Sequence, residues 1–139
     1  GIIYKEMNIY DLAIQELIIY IQTITNDPVV YRLIGSCYRN LNNYKDAIIY
    51  YKKANNLYKS EDTSTLYNLG YSYLKIEDFQ NAAKYFKFVL RINHDHAKAH
   101  DDLIRVYSQL NKLREVKKEC DILFMLERDL YSTNEYCSY

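Results

Sequence analysis

Read for polarity alone, the chain alternates runs in which apolar residues recur every three or four positions with short polar breaks. Tyr44, Ala47, Ile48, Tyr51 and Ala54 form one such run, and their spacing lines one face of a helix. The breaks carry helix-start signals. Asp27-Pro28 reads as an N-cap followed by a first-turn proline, and Asn43, Asp78 and Asp95 stand where further helices should begin. The pattern predicts helices over roughly 9–25, 28–41, 44–58, 63–76, 79–92, 96–110 and 113–130. With three Gly and one Pro, the chain has few residues for the tight turns of an all-β fold.

The runs repeat. From Gly35, the residues at offsets 3, 9, 12, 16 and 19 are Tyr38, Tyr44, Ala47, Tyr51 and Ala54. The same offsets from Gly70 give Tyr73, Phe79, Ala82, Phe86 and Val89, and from Ile104 they give Tyr107, Leu113, Val116, Cys120 and Leu123. Gly1 begins a fourth register with Tyr4, Tyr10, Ala13, Leu17 and Tyr20, so the anchors lie 34, 35 and 34 residues apart. A period in this range marks an array of helical hairpins. The small residues Gly35 and Ala47 are placed where two antiparallel helices cross, with larger side chains filling the space on either side.

The pattern resembles the tetratricopeptide repeat, W-x2-L-G-x2-Y followed by A-x3-F and then P. Tyr31, Ile34, Gly35 and Tyr38 match its first half with Tyr for Trp, and Leu69, Gly70 and Tyr73 match it again. The closing Pro is absent: Lys59, His94 and Arg128 stand near its sites. Ile104 and Val116 replace small residues in the last unit, which predicts a looser terminal hairpin. The resemblance implies an all-α fold of stacked antiparallel hairpins in a right-handed superhelix. It divides the chain into one array over 1–130 (a partial repeat at 1–26, repeats at 28–61, 63–96 and 97–130) and a tail at 131–139. One hairpin cannot bury its own apolar face, so the units must stack, and the resemblance puts the first helix of each along a concave groove.

Composition narrows the function. The 18 Lys and Arg cancel 18 Asp and Glu, so the basic excess of a nucleic-acid or anionic-membrane binder is missing. No stretch approaches the length of a membrane span. Seventeen Tyr and no Trp, with abundant Ile, Asn and Lys, fit A/T-rich codon usage. Three irregularly spaced Cys without a CxxC pair predict reduced thiols and a cytoplasmic, intracellular setting. His96 and His100 are spaced to share a metal, but His100 falls on a packing position and nothing completes a ligand set, so no metal or other cofactor is expected. Cys120 falls on a core face and Cys37 beside Tyr38, so neither is expected to act as a nucleophile, and no enzyme activity is expected.

The resemblance leaves the groove as the functional surface, with a protein or peptide segment as partner. Its expected lining is Arg32, Ser36, Arg39, Tyr67, Asn68, Tyr71, Lys75, Lys98, Asp102 and Arg105, with Arg32, Asn68, Tyr71, Lys98 and Arg105 on one continuous surface. Cations suit carboxylates, Asn68 suits a peptide backbone, and the tyrosines suit apolar side chains. One alternative is an RNA-binding helical array, disfavoured by zero net charge. Another is the carboxylate clamp that some relatives use on the C-terminus of heat-shock chaperones. Arg32, Asn68 and Lys98 suit that clamp, Ser36 weakens it, and Asp102 puts a negative charge where an Arg is needed. Finally, Gly1 aligns with the middle of a helix, which leaves a short first helix over roughly 1–7. The apolar face of the 9–25 helix (Ile14, Leu17, Ile18, Ile21) is then expected to be incompletely covered, favouring an absent upstream segment or self-association through that helix.

Overall fold

A computed structural model of the chain describes residues 2–23, 26–59 and 61–137, with side chains from Glu6 onward. Gly1, the Tyr4 side chain and the end of the expected 9–25 helix lie outside the described residues, as does the last part of the tail. The fold is all-α: α1 (Ile2–Thr23), α2 (Pro28–Asn40), α3 (Tyr44–Leu57), α4 (Thr63–Lys75), α5 (Phe79–Ile92), α6 (Ala97–Gln109), α7 (Leu113–Leu126) and α8 (Arg128–Thr133). Each helix packs on the next, and α4 also reaches α6. The pairs α2/α3, α4/α5 and α6/α7 are hairpins stacked in series.

One turn closes all three hairpins. Asn42, Glu77 and Asn111 take φ of 59°, 63° and 57°. Reversing the chain there lets the next amide bond back to a helix carbonyl: Asn43 to Tyr38 at 2.8 Å, Asp78 to Tyr73 at 2.9 Å and Lys112 to Tyr107 at 2.9 Å. α3 and α5 then begin on side-chain caps, with Asn43 accepting from the Asp46 amide and Asp78 from the Asn81 amide, whereas Lys112 starts α7 without one. Asp27 and Pro28 start α2 as their sequence predicts. α6 departs from expectation. Its cap is His96, not Asp95; the imidazole Nδ1 accepts from the Ala99 amide at 3.1 Å, while Asp95 bonds through its own amide to Asn93.

The core runs along the hairpin interfaces. Ala47 and Ala82 are fully buried, as their register requires. The glycines, however, face the aromatic residues of the second helix. A Cβ on Gly35 would stand 2.9 Å from Tyr51, and one on Gly70 would stand 2.8 Å from Phe86. The third hairpin puts Ile104 at the glycine position and Cys120 at the aromatic one, both fully buried. Bulk is exchanged between the two positions, so the crossing itself is filled, while the two helices of this hairpin make the least contact of the three pairs, in line with the looser terminal unit expected.

The two ends differ most from expectation. α1 continues through Asn8 without a break, so the short helix expected over 1–7 is absent. Ile9 sits where Asn43 caps α3 and has no side-chain acceptor for a new helix start. Ile14 is buried and Leu17, Ile18 and Ile21 are half-buried beside α2, so the face expected to be open is largely covered. Apolar exposure lies on another stripe instead, at Ile9, Leu12 and Ile19. At the C-terminal end the helix expected over 113–130 stops at Leu126, and α8 folds back on α7 and α6. Cys120 and Cys137 form a disulfide, so the expectation of reduced thiols fails for two of the three cysteines. With it goes the ground for expecting a reducing compartment. Cys37 stays free, half-buried, its thiol pushed up by burial.

Candidate functional site

The first helices α2, α4 and α6 carry the expected groove residues, and the structure divides them into three sets. The first turns toward α3. Arg32 donates from Nε to the Tyr58 hydroxyl at 3.2 Å, and the Ser36 and Tyr51 hydroxyls are 3.0 Å apart. Neither residue lines the cavity between α4 and α6.

That cavity, about 520 Å³, is lined by part of the other two sets: Tyr71, Lys75, Lys98, Asp102 and Arg105 share its wall with Glu77, Phe79, Gln109 and Tyr136, while Arg39, Tyr67 and Asn68 are not in its lining. On its α4 side Tyr71 is the centre. Its ring meets Tyr67 in a stack at 6.4 Å and Tyr44 edge-on at 6.0 Å. The Arg39 guanidinium lies 5.9 Å from the Tyr71 ring, and Lys75 lies 5.9 Å from Tyr71 and 6.0 Å from Tyr44. Neither cation has a carboxylate partner among the described residues. Arg39 Nε is buried without a hydrogen-bond partner there. Asn68, one turn before Ser72 on the same helix, is half-buried, and no described hydrogen bond engages its amide.

The α6 side is electrostatically closed. Lys98 reaches Asp101 at 3.0 Å and Asp102 at 3.3 Å; Arg105 reaches them at 2.7 and 3.5 Å. Tyr67 donates its hydroxyl to Asp102, and Asn134 of the tail donates to Asp101 at 2.8 Å. The two adjacent carboxyls are driven apart. Burial alone would raise Asp101, but Asn134, Arg105 and Lys98 outweigh it and hold it below the ordinary carboxylate value. Asp102 goes the other way, because its burial outweighs the Tyr67 bond and both cations. Burial and Asp102 together push the Tyr67 phenol upward. This side therefore carries its own carboxylates. A chaperone clamp would need Lys98 free, and here it is engaged twice.

The histidines are also spent on structure. His100 is buried, paired through Nδ1 with Glu119, and its Nε2 meets the His94 carbonyl at 2.8 Å. His96 caps α6 and stacks on Tyr67 at 5.2 Å. Among the described residues no group of three His, Cys, Asp or Glu is placed to hold a metal.

Sequence reasoning missed Asp101, Tyr44, Gln109, Asn134 and Tyr136. The first had a signal: Lys98 and Arg105 lie three and four residues from Asp101, the helix spacing of an ion pair. Asn134 and Tyr136 come from a tail that no repeat pattern reaches.

Hairpins stacked in series, closed by one repeated turn and bearing a cavity along their first helices, define an α-solenoid repeat protein. Its repeat is identified directly: the Tetratricopeptide repeat profiles match residues 30–61 and 64–96, and the chain is a tetratricopeptide-repeat protein. The anaphase-promoting complex subunit CDC16 of Saccharomyces cerevisiae is 30% identical over 120 residues, which are 82% of this chain and 14% of the yeast protein. The chain thus corresponds to a small part of that relative. Among solved structures, MamA aligns with a TM-score of 0.81 at 20% identity, over 86% of this chain and 69% of MamA. The first TPR of Spaghetti (RPAP3), solved bound to the HSP90 peptide SRMEEVD, aligns with a TM-score of 0.71 at 24% identity, over 78% of this chain and 86% of that one. Among the described residues no helix is long and apolar enough to cross a membrane.

Proposed function

We propose that the chain is a non-catalytic docking module that holds an extended peptide segment of a partner protein in the groove along α4, with a carboxylate side chain of that segment seated between Arg39 and Lys75. The carrying observation is the cluster of Arg39, Tyr71, Lys75 and Tyr44. It is a pair of cations over an aromatic platform that makes no ion pair among the described residues, with Glu77 in the same cavity wall but not bonded to either. Such cations attract an acidic side chain, and the rings offer area for an apolar neighbour at low entropic cost. Asn68 lies on the same helix and has an unengaged amide with both a donor and an acceptor for peptide backbone. Two relatives support the reading by what they are: one is a subunit of a multiprotein complex and one was solved with a peptide bound.

The reading assigns opposite roles to the two sides of the cavity. The α4 side contacts the ligand, and the α6 side, neutralised internally, is a fixed wall. Isothermal calorimetry against a library of short peptides, each with one glutamate beside an apolar residue, tests it. Arg39→Ala with Lys75→Ala weakens the best binder by about tenfold or more, since each lost charge contact is worth about 1.5–3 kcal/mol. Unchanged affinity in that double variant removes the groove reading.

A further inference from the structure

The cavity just described is not the largest in the molecule. One of about 670 Å³ opens between α5 and the turn joining α6 to α7, and it shares no lining residue with the groove. Lys84, Lys87, Arg91 and Lys112 line it, together with Phe88 and Leu110, and no carboxylate does. In a chain whose charges sum to zero, four cations around one cavity are a segregated field, and a concave field of one sign concentrates ligands of the other.

The cations are held there by rings. Lys87 and Lys112 approach the Tyr107 ring to 5.7 and 5.9 Å, one from α5 and the other from the turn joining α6 to α7. Arg91 lies 4.5 Å from the Phe88 ring centre. Aromatic faces offset part of the repulsion between neighbouring ammonium groups but supply no full counter-charge. Of the nearby carboxylates, Glu61 meets Arg91 at 3.4 Å across the exposed surface and Glu119 is bound to His100, while Glu77 and Asp78 line an adjoining cavity that shares Gln80 and Leu110 with this one. Lys84, Lys87 and Lys112 have no ion pair among the described residues.

The geometry points to a second interaction site here, for an acidic segment of a partner polypeptide that inserts one apolar or aromatic side chain between flanking carboxylates. The rings decide against a nucleic acid. Phe88 is the one ring in the lining and Arg91 already lies over it, while Tyr107 is buried outside the lining beneath two lysines, so the cavity presents no open ring face to stack a base. Ala83 and Leu110 beside Phe88 offer an apolar patch for a hydrophobic anchor, and about 670 Å³ is room for that side chain together with its flanking residues. A chain engaged through both surfaces would hold one partner along its first helices and another beside α5.

Fluorescence anisotropy with a labelled peptide of glutamates around a single phenylalanine tests the site on the full chain. Lys84→Glu with Lys87→Glu, folded by circular dichroism, is expected to weaken binding by about tenfold or more, and added salt to weaken it further. Replacing the phenylalanine of the peptide by alanine is expected to weaken it as well, and the lysine reversal is expected to weaken binding by the same factor in a protein that already carries Arg39→Ala with Lys75→Ala, in which the groove no longer competes for the peptide. Equal affinity in the lysine-reversed protein overturns the proposal. So does a loss seen only in the groove variant, which would assign the peptide to the groove instead. Tighter binding of a single-stranded RNA oligomer or of phosphatidylserine vesicles than of the peptide also overturns it.

Discussion

Gly35 and Gly70 have no room for a methyl group, because the rings of Tyr51 and Phe86 occupy that space. Gly70→Ala is expected to destabilise by about 1–3 kcal/mol, read as a lower melting temperature, since Phe86 is fully buried and cannot turn away. A melt equal to the parent would show that the ring gives way. Glu77 presents the opposite case. It occupies the left-handed position that Asn42 and Asn111 fill in the other two hairpins. A glutamate there bears backbone strain and places negative charge at a helix C-terminus. Glu77→Asn should raise stability by about 1 kcal/mol, and a melting temperature at or below the parent's would contradict this. His100 gives the molecule a pH dependence. Burial alone would lower its pKa, but Glu119 and the His94 carbonyl outweigh burial, so the folded value lies above the ordinary 6.5. Stability from this pair is therefore complete below about pH 6.5 and declines as pH rises through the folded value. Melts across that window should slope downward with rising pH, and Glu119→Gln should flatten the slope. A slope preserved in that variant would place the titration elsewhere.

At the scale of elements, the repeated hairpins were legible and the ends were not. A period near 34 residues, with caps at Asn43 and Asp78, is local information that each segment carries by itself. Whether α1 breaks at Asn8, or how α8 returns, is not written in the repeat pattern: Ile9 offers no cap for a break, and the residues after Leu126 carry none of its positions. Asp95 and His96 are both plausible cap residues by type, and only the turn geometry chose His96. The groove was partly legible for the same reason. Helix register placed Tyr71, Lys75, Lys98 and Arg105 on one cavity, but it could not show that Asp101, itself held by the tail's Asn134, joins Asp102 in engaging Lys98 and Arg105. The tail is therefore an element with a stabilising role. Cys137 ties it to α7, and Asn134 is fully buried against α6. Cys137→Ser is expected to cost about 2–4 kcal/mol under non-reducing conditions. The parent treated with reductant should show a similar loss, and an unchanged melt in both would mean the tail is held without the bond.

Across the whole molecule, charge that sums to zero is unevenly distributed. Lys98 and Arg105 are neutralised within α6, while Arg39 and Lys75 over the tyrosine platform have no carboxylate partner among the described residues. The α4 side of the groove should therefore receive an acidic peptide side chain, with the α6 side unmoved. Nuclear magnetic resonance titration of the isotopically labelled chain with the best glutamate-containing peptide maps this directly. The shifted amides are expected to cluster at Arg39, Asn68, Tyr71 and Lys75, with Asp101 and Asp102 nearly still. Shifts that cluster around Asp101, Asp102 and the tail, with Arg39 and Lys75 still, would contradict it.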